Sequence, residues 1–263
     1  MADSNSILPV SNDTSVIEAV ITTTNGVDFT VDNGIVASGV PKPAVICVFC
    51  GASPGTSPAH LAAARELANA MHTHGHHLVY GGGTSGLMGE VAKRLVFLSG
   101  PNAVHGIIPE ALVKYERKPA EGDVTNITTT NVGQQHGEIG LFGLVTHVND
   151  MHTRKQMMAQ EVLSGGPGSG FIALTGGFGT IEEIMEIVTW NQLGIHGRGA
   201  ILYNVEGFWD AVLQWINTAA RTGFVKPENK KILVEAKTAE EAINALKEYK
   251  VSAARFNLDW SKS

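Results

Sequence analysis

Phe171-Ile172-Ala173-Leu174-Thr175-Gly176-Gly177-Phe178-Gly179-Thr180-Ile181-Glu182-Glu183 decides the fold. Its first four residues form an apolar run that reads as a buried strand. Beyond it, Ile184-Met185-Glu186-Ile187-Val188-Thr189-Trp190 reads as a helix. A strand that passes through glycines into a helix N-terminus presents free backbone N–H groups and the positive end of the helix dipole. That combination is an anion site, most often for phosphate. Glu182 and Glu183 are expected in the first helical turn. There they either cap the helix or sit beside a bound phosphate ester and act on it.

The same pattern of strand, glycines and helix extends on both sides. Strands are expected over residues 44–50, 77–80, 104–108, 126–131, 171–174, 200–204 and 231–234. Helices are expected from a Ser57 cap to about residue 74, and over 87–98, 150–163, 208–221 and 238–249. Short apolar strands alternating with helices predict an α/β protein, a parallel sheet covered by helices on both faces in a single domain. Ligands of such sheets bind at the carboxyl ends of the strands. The glycine turns after Cys50, Tyr80 and Leu174 lie at that edge. Residues 1–42 differ in character, being rich in Ser, Thr, Asn, Asp and Gly, with Phe29 as their one aromatic. They read as a flexible extension, with Pro41-Lys42-Pro43 marking the start of a folded domain over residues 43–263.

The 263 residues are 43% hydrophobic and 17% charged, an ordinary globular balance. A net charge of −6 argues against nucleic acid or an anionic membrane as the main partner. No basic-then-apolar leader opens the chain and no run of about 18 apolar residues occurs, so cytoplasmic residence is the default expectation. Cys47 and Cys50 lie in one apolar run, three apart on a strand, and should point to opposite faces as buried thiols. His72, His74, His76 and His77 straddle a helix end and a strand start. Histidine is favoured near a helix C-terminus for dipole reasons alone, so no metal is expected there.

Two further motifs admit a plain and a functional reading. Gly81-x-Gly83-x-x-Gly86 matches the dinucleotide fingerprint, with Glu110 as a possible ribose-binding acid. The plain reading is a tight turn that lets strand and helix pack closely. Asp150 is expected to cap the helix that carries Arg154 and Lys155. Cations near a helix N-terminus are disfavoured unless they face an anionic ligand or a carboxylate, the alternative being plain solvated charges.

Gly81-Gly82-Gly83-Thr84-Ser85-Gly86-Leu87-Met88-Gly89, Met151-His152-Thr153-Arg154-Lys155 and Gly176-Gly177-Phe178-Gly179-Thr180-Ile181-Glu182-Glu183, followed by Thr189-Trp190-Asn191-Gln192-Leu193-Gly194, together resemble the LOG ("lonely guy") family over about residues 45–225. Members are cytokinin riboside 5'-monophosphate phosphoribohydrolases, also labelled lysine decarboxylases. The resemblance implies a Rossmann-like fold and hydrolysis of the N-glycosidic bond of an N6-substituted AMP. The products are a free base and ribose 5-phosphate. It also implies no metal or other cofactor, and a homodimer whose active sites are completed across the interface. Carried over by motif position, Arg154 and Glu183 are the catalytic pair. Lys155, Gly176, Gly177, Phe178, Gly179, Thr180, Ile181, Glu182 and Thr189 contact the nucleotide, with Gly82, Gly83 and Ser53 from the neighbouring turns. Glu116 is the candidate for an upstream glutamate on the base side.

These residue types suit that chemistry. Glycosidic cleavage develops oxocarbenium character on the ribose, which a carboxylate stabilises while it orients water. An arginine binds phosphate or keeps the carboxylate ionised. The family usually has proline where Thr175 stands, so the turn entry should be less rigid. The segments 164–170 and 117–140 look longer than in plant or bacterial members, which suggests a fungal-type branch. Three other activities are compatible with parts of the pattern: an AMP nucleosidase-like hydrolase, an NAD(P)-dependent oxidoreductase, and a non-catalytic nucleotide or cofactor carrier. A pure carrier has no need of a carboxylate beside phosphate, where like charges repel. The pocket for the N6 substituent should be apolar, with Met88, Met151 and Met157 as candidates.

Overall fold

A computed structural model describes residues 41–117 and 138–260. The strand expected at 126–131 and nearly all of the expected N-terminal extension lie outside the described residues.

Among the described residues the sheet has eight strands: β1 (Val45–Phe49), β2 (His77–Tyr80), β3 (Val104–Pro109), β4 (Glu138–Gly140), β5 (Gly143–Val148), β6 (Gly170–Ala173), β7 (Gly199–Tyr203) and β8 (Leu233–Ala236). Their spatial order is β4-β5-β3-β2-β1-β6-β7-β8. Every pairing is parallel except β4 with β5, so the expected parallel sheet carries one antiparallel edge strand. Both β4 and β5 escaped the sequence reading, as did a short helix.

Seven α-helices among the described residues cover the sheet: α1 (Pro58–Thr73), α2 (Gly86–Ser99), α3 (Glu110–Glu116), α4 (Met151–Ser164), α5 (Phe178–Gln192), α6 (Asp210–Arg221) and α7 (Ala239–Lys247). Strand side chains alternate between faces, and this splits the core in two. Ile46 and Val48 face one way, into a cluster with Leu67 and Met71 of α1, Val91 and Leu95 of α2, and Ile243 of α7. Cys47 and Phe49 face the other way, into Met158 and Val162 of α4, Ile184 and Ile187 of α5, and Trp209. The two thiols therefore enter different clusters, as their spacing requires, and both are buried and free.

The chain lays down β1, β2, β3 and β5 in one direction, then returns to place β6 on the far side of β1 and continues to β7 and β8. The order reverses between β1 and β6, and the loops leaving their carboxyl ends part there to leave a crevice. Backbone hydrogen bonds stitch these loops together. Gly51 N–H donates to the Thr175 carbonyl at 3.0 Å, and Leu87 N–H donates to the Gly51 carbonyl at 3.0 Å. Gly86 makes the second contact possible. Its φ is +60°, and a Cβ there would collide with the backbone of Ala52.

Gly86→Ala should therefore cost more than about 2 kcal/mol of stability, because it combines left-handed backbone strain with a backbone clash. Urea denaturation checks this; a loss under about 0.5 kcal/mol would mean that the β1 and β2 loops do not constrain each other there.

Candidate active site

The crevice between the β1 and β6 loops is a cavity of about 290 Å³. Its floor is Phe49, Cys50, Gly51 and Ala52 at the end of β1, and one wall is Gly177, Gly179, Thr180, Glu182 and Glu183 from the start of α5. The opposite wall is Glu116 with Arg154 of α4, and Met88, Leu112, Met151 and Met158 make an apolar end.

Asp150 caps α4 as expected, its carboxylate accepting from Thr153 N–H at 2.8 Å and from the Thr153 hydroxyl at 2.9 Å. That fixed start turns Arg154 inward. Only 5% of Arg154 is exposed. It fits because Gly81 lacks a side chain: a Cβ there would run into the guanidinium. Its Nη1 lies 3.9 Å from Glu116 Oε2. Arg154 Nε and Glu116 Oε2 are buried with no hydrogen-bond partner among the described residues. Buried polar atoms of this kind are costly, and their orientation into a cavity leaves them available to a ligand.

Helix α5 begins at Phe178 with Gly177 as its cap, earlier than the sequence reading placed it. Glu182 and Glu183 therefore fall in the second turn rather than the first, a correction that weakens the helix-dipole explanation for them. Burial raises the Glu183 carboxyl to about 7, helped by the nearby Glu182 and Glu116 and opposed by Arg154. Burial also raises Glu116, again opposed by Arg154. The first N–H groups of α5 lack intrahelical partners, as at any helix start. The glycines that frame them have no internal packing reason to be glycine. A Cβ on Gly177 or Gly179 would meet nothing within 4 Å, and neither residue has a left-handed φ. The bare backbone there opens onto free space. Gly176 is different, because a Cβ on it would strike the buried Thr180.

A family profile described as "Possible lysine decarboxylase" matches residues 88–246. A "Bifunctional cytokinin biosynthesis protein" of Fusarium pseudograminearum is 47% identical over 220 residues, which cover 84% of this chain and 43% of that protein. A cytokinin riboside 5'-monophosphate phosphoribohydrolase of Arabidopsis thaliana is 39% identical over 78% of this chain and 82% of its own. The chain belongs to the LOG family. It spans less than half the length of the Fusarium relative but most of the length of the plant LOG relative. The molybdenum cofactor carrier protein of Chlamydomonas reinhardtii has the same fold, with a TM-score of 0.51 and 18% identity over 79% of this chain and 98% of its own.

Of the residues that the LOG resemblance singles out, the cavity gathers Glu116, Arg154, Gly177, Gly179, Thr180, Glu182 and Glu183. It does not gather the others. Lys155 turns away to bind Glu182 at 2.6 Å and Glu186 at 3.1 Å, and lines a separate groove between α4 and α5. Phe178 is 96% exposed, Ile181 is also exposed, and the Thr189 hydroxyl donates back to the Met185 carbonyl. Ala52 and Gly81 line the cavity in place of their neighbours Ser53, Gly82 and Gly83. Met157 lines a different cavity, beside Val45 and Glu161, and Met158 takes its place in the site. Leu112 was missed because it lies on α3, which the sequence reading did not see.

The glycines of Gly81-x-Gly83-x-x-Gly86 have packing reasons of their own, with Arg154, Met88 and the Ala52 backbone as neighbours. Glu110 binds His147 at 2.9 Å and does not line the cavity. Among the described residues no group of three His, Cys, Asp or Glu could hold a metal. His74 instead contacts Glu240 at 2.7 Å and Lys247 at 2.9 Å, and His72 contacts Ser99.

The Glu183 carboxyl, raised from 4.5 to about 7, binds its proton more tightly in the folded chain than in the unfolded one. Its contribution to stability is present below about 4.5 and is lost as pH rises through about 7. Urea midpoints measured across that window should fall more steeply with pH for the natural protein than for Glu183→Gln. Parallel slopes would show that the carboxyl ionises as freely in the folded state as in the unfolded one.

Proposed function

We propose that this protein hydrolyses the N-glycosidic bond of cytokinin riboside 5'-monophosphates, giving the free cytokinin base and ribose 5-phosphate. The observation that carries the reading is the juxtaposition of bare backbone at the start of α5 with Glu183 and the buried Arg154 in one crevice. The plant relative with 39% identity is named for this activity.

The 5'-phosphate sits against the N–H groups of Phe178, Gly179 and Thr180, where the positive helix end favours an anion. Gly177 and Gly179 allow the phosphate oxygens to approach the backbone closely. The ribose then lies over Glu183. As the bond from ribose C1' to the base nitrogen breaks, its electron pair leaves with the base and positive charge develops on the sugar. Ionised Glu183 stabilises that charge and takes a proton from the attacking water, while the departing base nitrogen takes up a proton from solvent, so that one water is added across the bond. A carboxyl that titrates near 7 suits a base working at neutral pH. Arg154 holds Glu183 towards its ionised form. The base points towards Glu116, and its N6 substituent enters the apolar end formed by Met88, Leu112, Met151 and Met158. Flexible thioethers there suit an isoprenoid-sized group.

A homodimer belongs to the same proposal. Exposed Phe178 and Ile181 flank the site, and Lys155, Ala159, Trp190 and Ile195 line an open groove of 370 Å³ between α4 and α5. Cytoplasmic residence belongs to it too. Among the described residues no helix is long and apolar enough to cross a membrane.

Purified protein incubated with isopentenyladenosine 5'-monophosphate should release free base, while the matching riboside should not react. Glu183→Gln and Arg154→Ala should each lower turnover by about 100-fold or more with the circular dichroism spectrum unchanged. A variant that keeps near-normal turnover removes that residue from the mechanism.

A further inference from the structure

His60 lies in the first turn of α1. Its imidazole is the meeting point of three loops at the carboxyl edge of the sheet. Nδ1 lies 3.1 Å from the Thr175 hydroxyl in the loop from β6 to α5. The ring packs edge-on against Phe208 in the loop from β7 to α6, with centroids 6.2 Å apart and planes at 76°. On the remaining side stands Gly55, in the loop from β1 to α1. With φ at +74° it leaves the ring room, since a Cβ there would come within 2.9 Å of His60 Cδ2. Thr175 is itself 8% exposed, and its carbonyl accepts the Gly51 N–H that ties β1 to β6.

Thr175 is the residue that enters the glycine turn at the head of α5. A proline there would preset φ near −65°. Threonine leaves the backbone free to rotate, and in this chain the restraint comes from the side chain instead. We propose that His60 is a positioning residue for the anion cradle: by holding the Thr175 hydroxyl it fixes the turn 175–177, and so aims the N–H groups of α5 at the phosphate. This deepens the proposed phosphoribohydrolase reading and rests on it. His60 does not line the cavity, so it acts through Thr175 and not on the substrate.

His60→Phe keeps an aromatic ring against Phe208 and removes the hydrogen bond. His60→Asn places a polar atom near the position of Nδ1. His60→Phe should raise KM for the monophosphate about five- to tenfold, the size of effect expected from one lost hydrogen bond, with kcat changed less than about twofold. His60→Asn should recover most of the affinity, and adding Thr175→Pro to His60→Phe should restore it by replacing one restraint with another. Titration calorimetry with ribose 5-phosphate should show the same weakening without any turnover. The proposal is overturned if His60→Phe binds ribose 5-phosphate as the natural protein does. A loss confined to kcat, or failure of Thr175→Pro to restore affinity in a folded protein, overturns it as well. If the natural protein binds ribose 5-phosphate but releases no base, the hydrolase reading fails while the calorimetry still decides the role of His60. Absence of ribose 5-phosphate binding by the natural protein overturns the role of His60, and absence of base release as well overturns the hydrolase reading with it.

Discussion

The buried guanidinium of Arg154, a residue only 5% exposed, is the constraint on which this site depends, because an isolated charge in that environment would be severely destabilising. Arg154 is tolerated because carboxylates surround it and because the cavity beside it is polar on that side. Much of the neighbouring sequence follows from housing it. Gly81 must be bare to leave a slot for the planar head, and Asp150 must cap α4 so that the side chain turns inward. Glu116 and Glu183 must come from two different directions to balance the charge. Replacing either carboxylate by an apolar residue would leave the buried charge with less compensation.

The sheet itself could be read from sequence because parallel strands covered on both faces are continuously apolar, and β1, β2, β6 and β7 are short runs of that kind between glycine turns. The strands and helix that escaped notice break that rule for physical reasons. Thr146 and His147 interrupt the apolar run of β5, and Thr146 is held in the sheet by His105, which also binds Glu161 of α4. None of the residues of α3 is buried, so no apolar stripe marks it as a helix. Leu112 and Glu116 reach the site only through that helix, and neither periodicity nor capping could have located it.

Site residues were legible where backbone conformation and chemistry are local, and less so where side chains choose among partners. The glycine cradle, Arg154 and Glu183 follow from contiguous motifs. Lys155 was expected at the nucleotide, and in the free protein it is drawn off by Glu182 and Glu186. Adjacent residues on a helix point about 100° apart, so Met157 and Met158 serve different cavities although they are neighbours in sequence. The threonine that stands in the place of the family's proline looked like a loss of rigidity. Its hydroxyl is in fact engaged by a histidine 115 residues earlier, a contact that no local reading could supply.

The elevated carboxyl at Glu183 ties occupancy of the crevice to the solution's proton activity. A phosphate dianion arriving beside it adds negative charge in a poorly solvated place, so the carboxyl gains affinity for a proton as the ligand enters. By reciprocity, a proton held on Glu183 strengthens the hold on the phosphate, and its departure loosens that hold. In the proposed reaction, the group that must be ionised to assist bond cleavage is thus the same group whose ionisation helps to expel the phosphorylated sugar afterwards. Catalytic readiness and product release then run on one titration, and an alkaline shift would speed the emptying of the site while it erodes the grip on the incoming nucleotide.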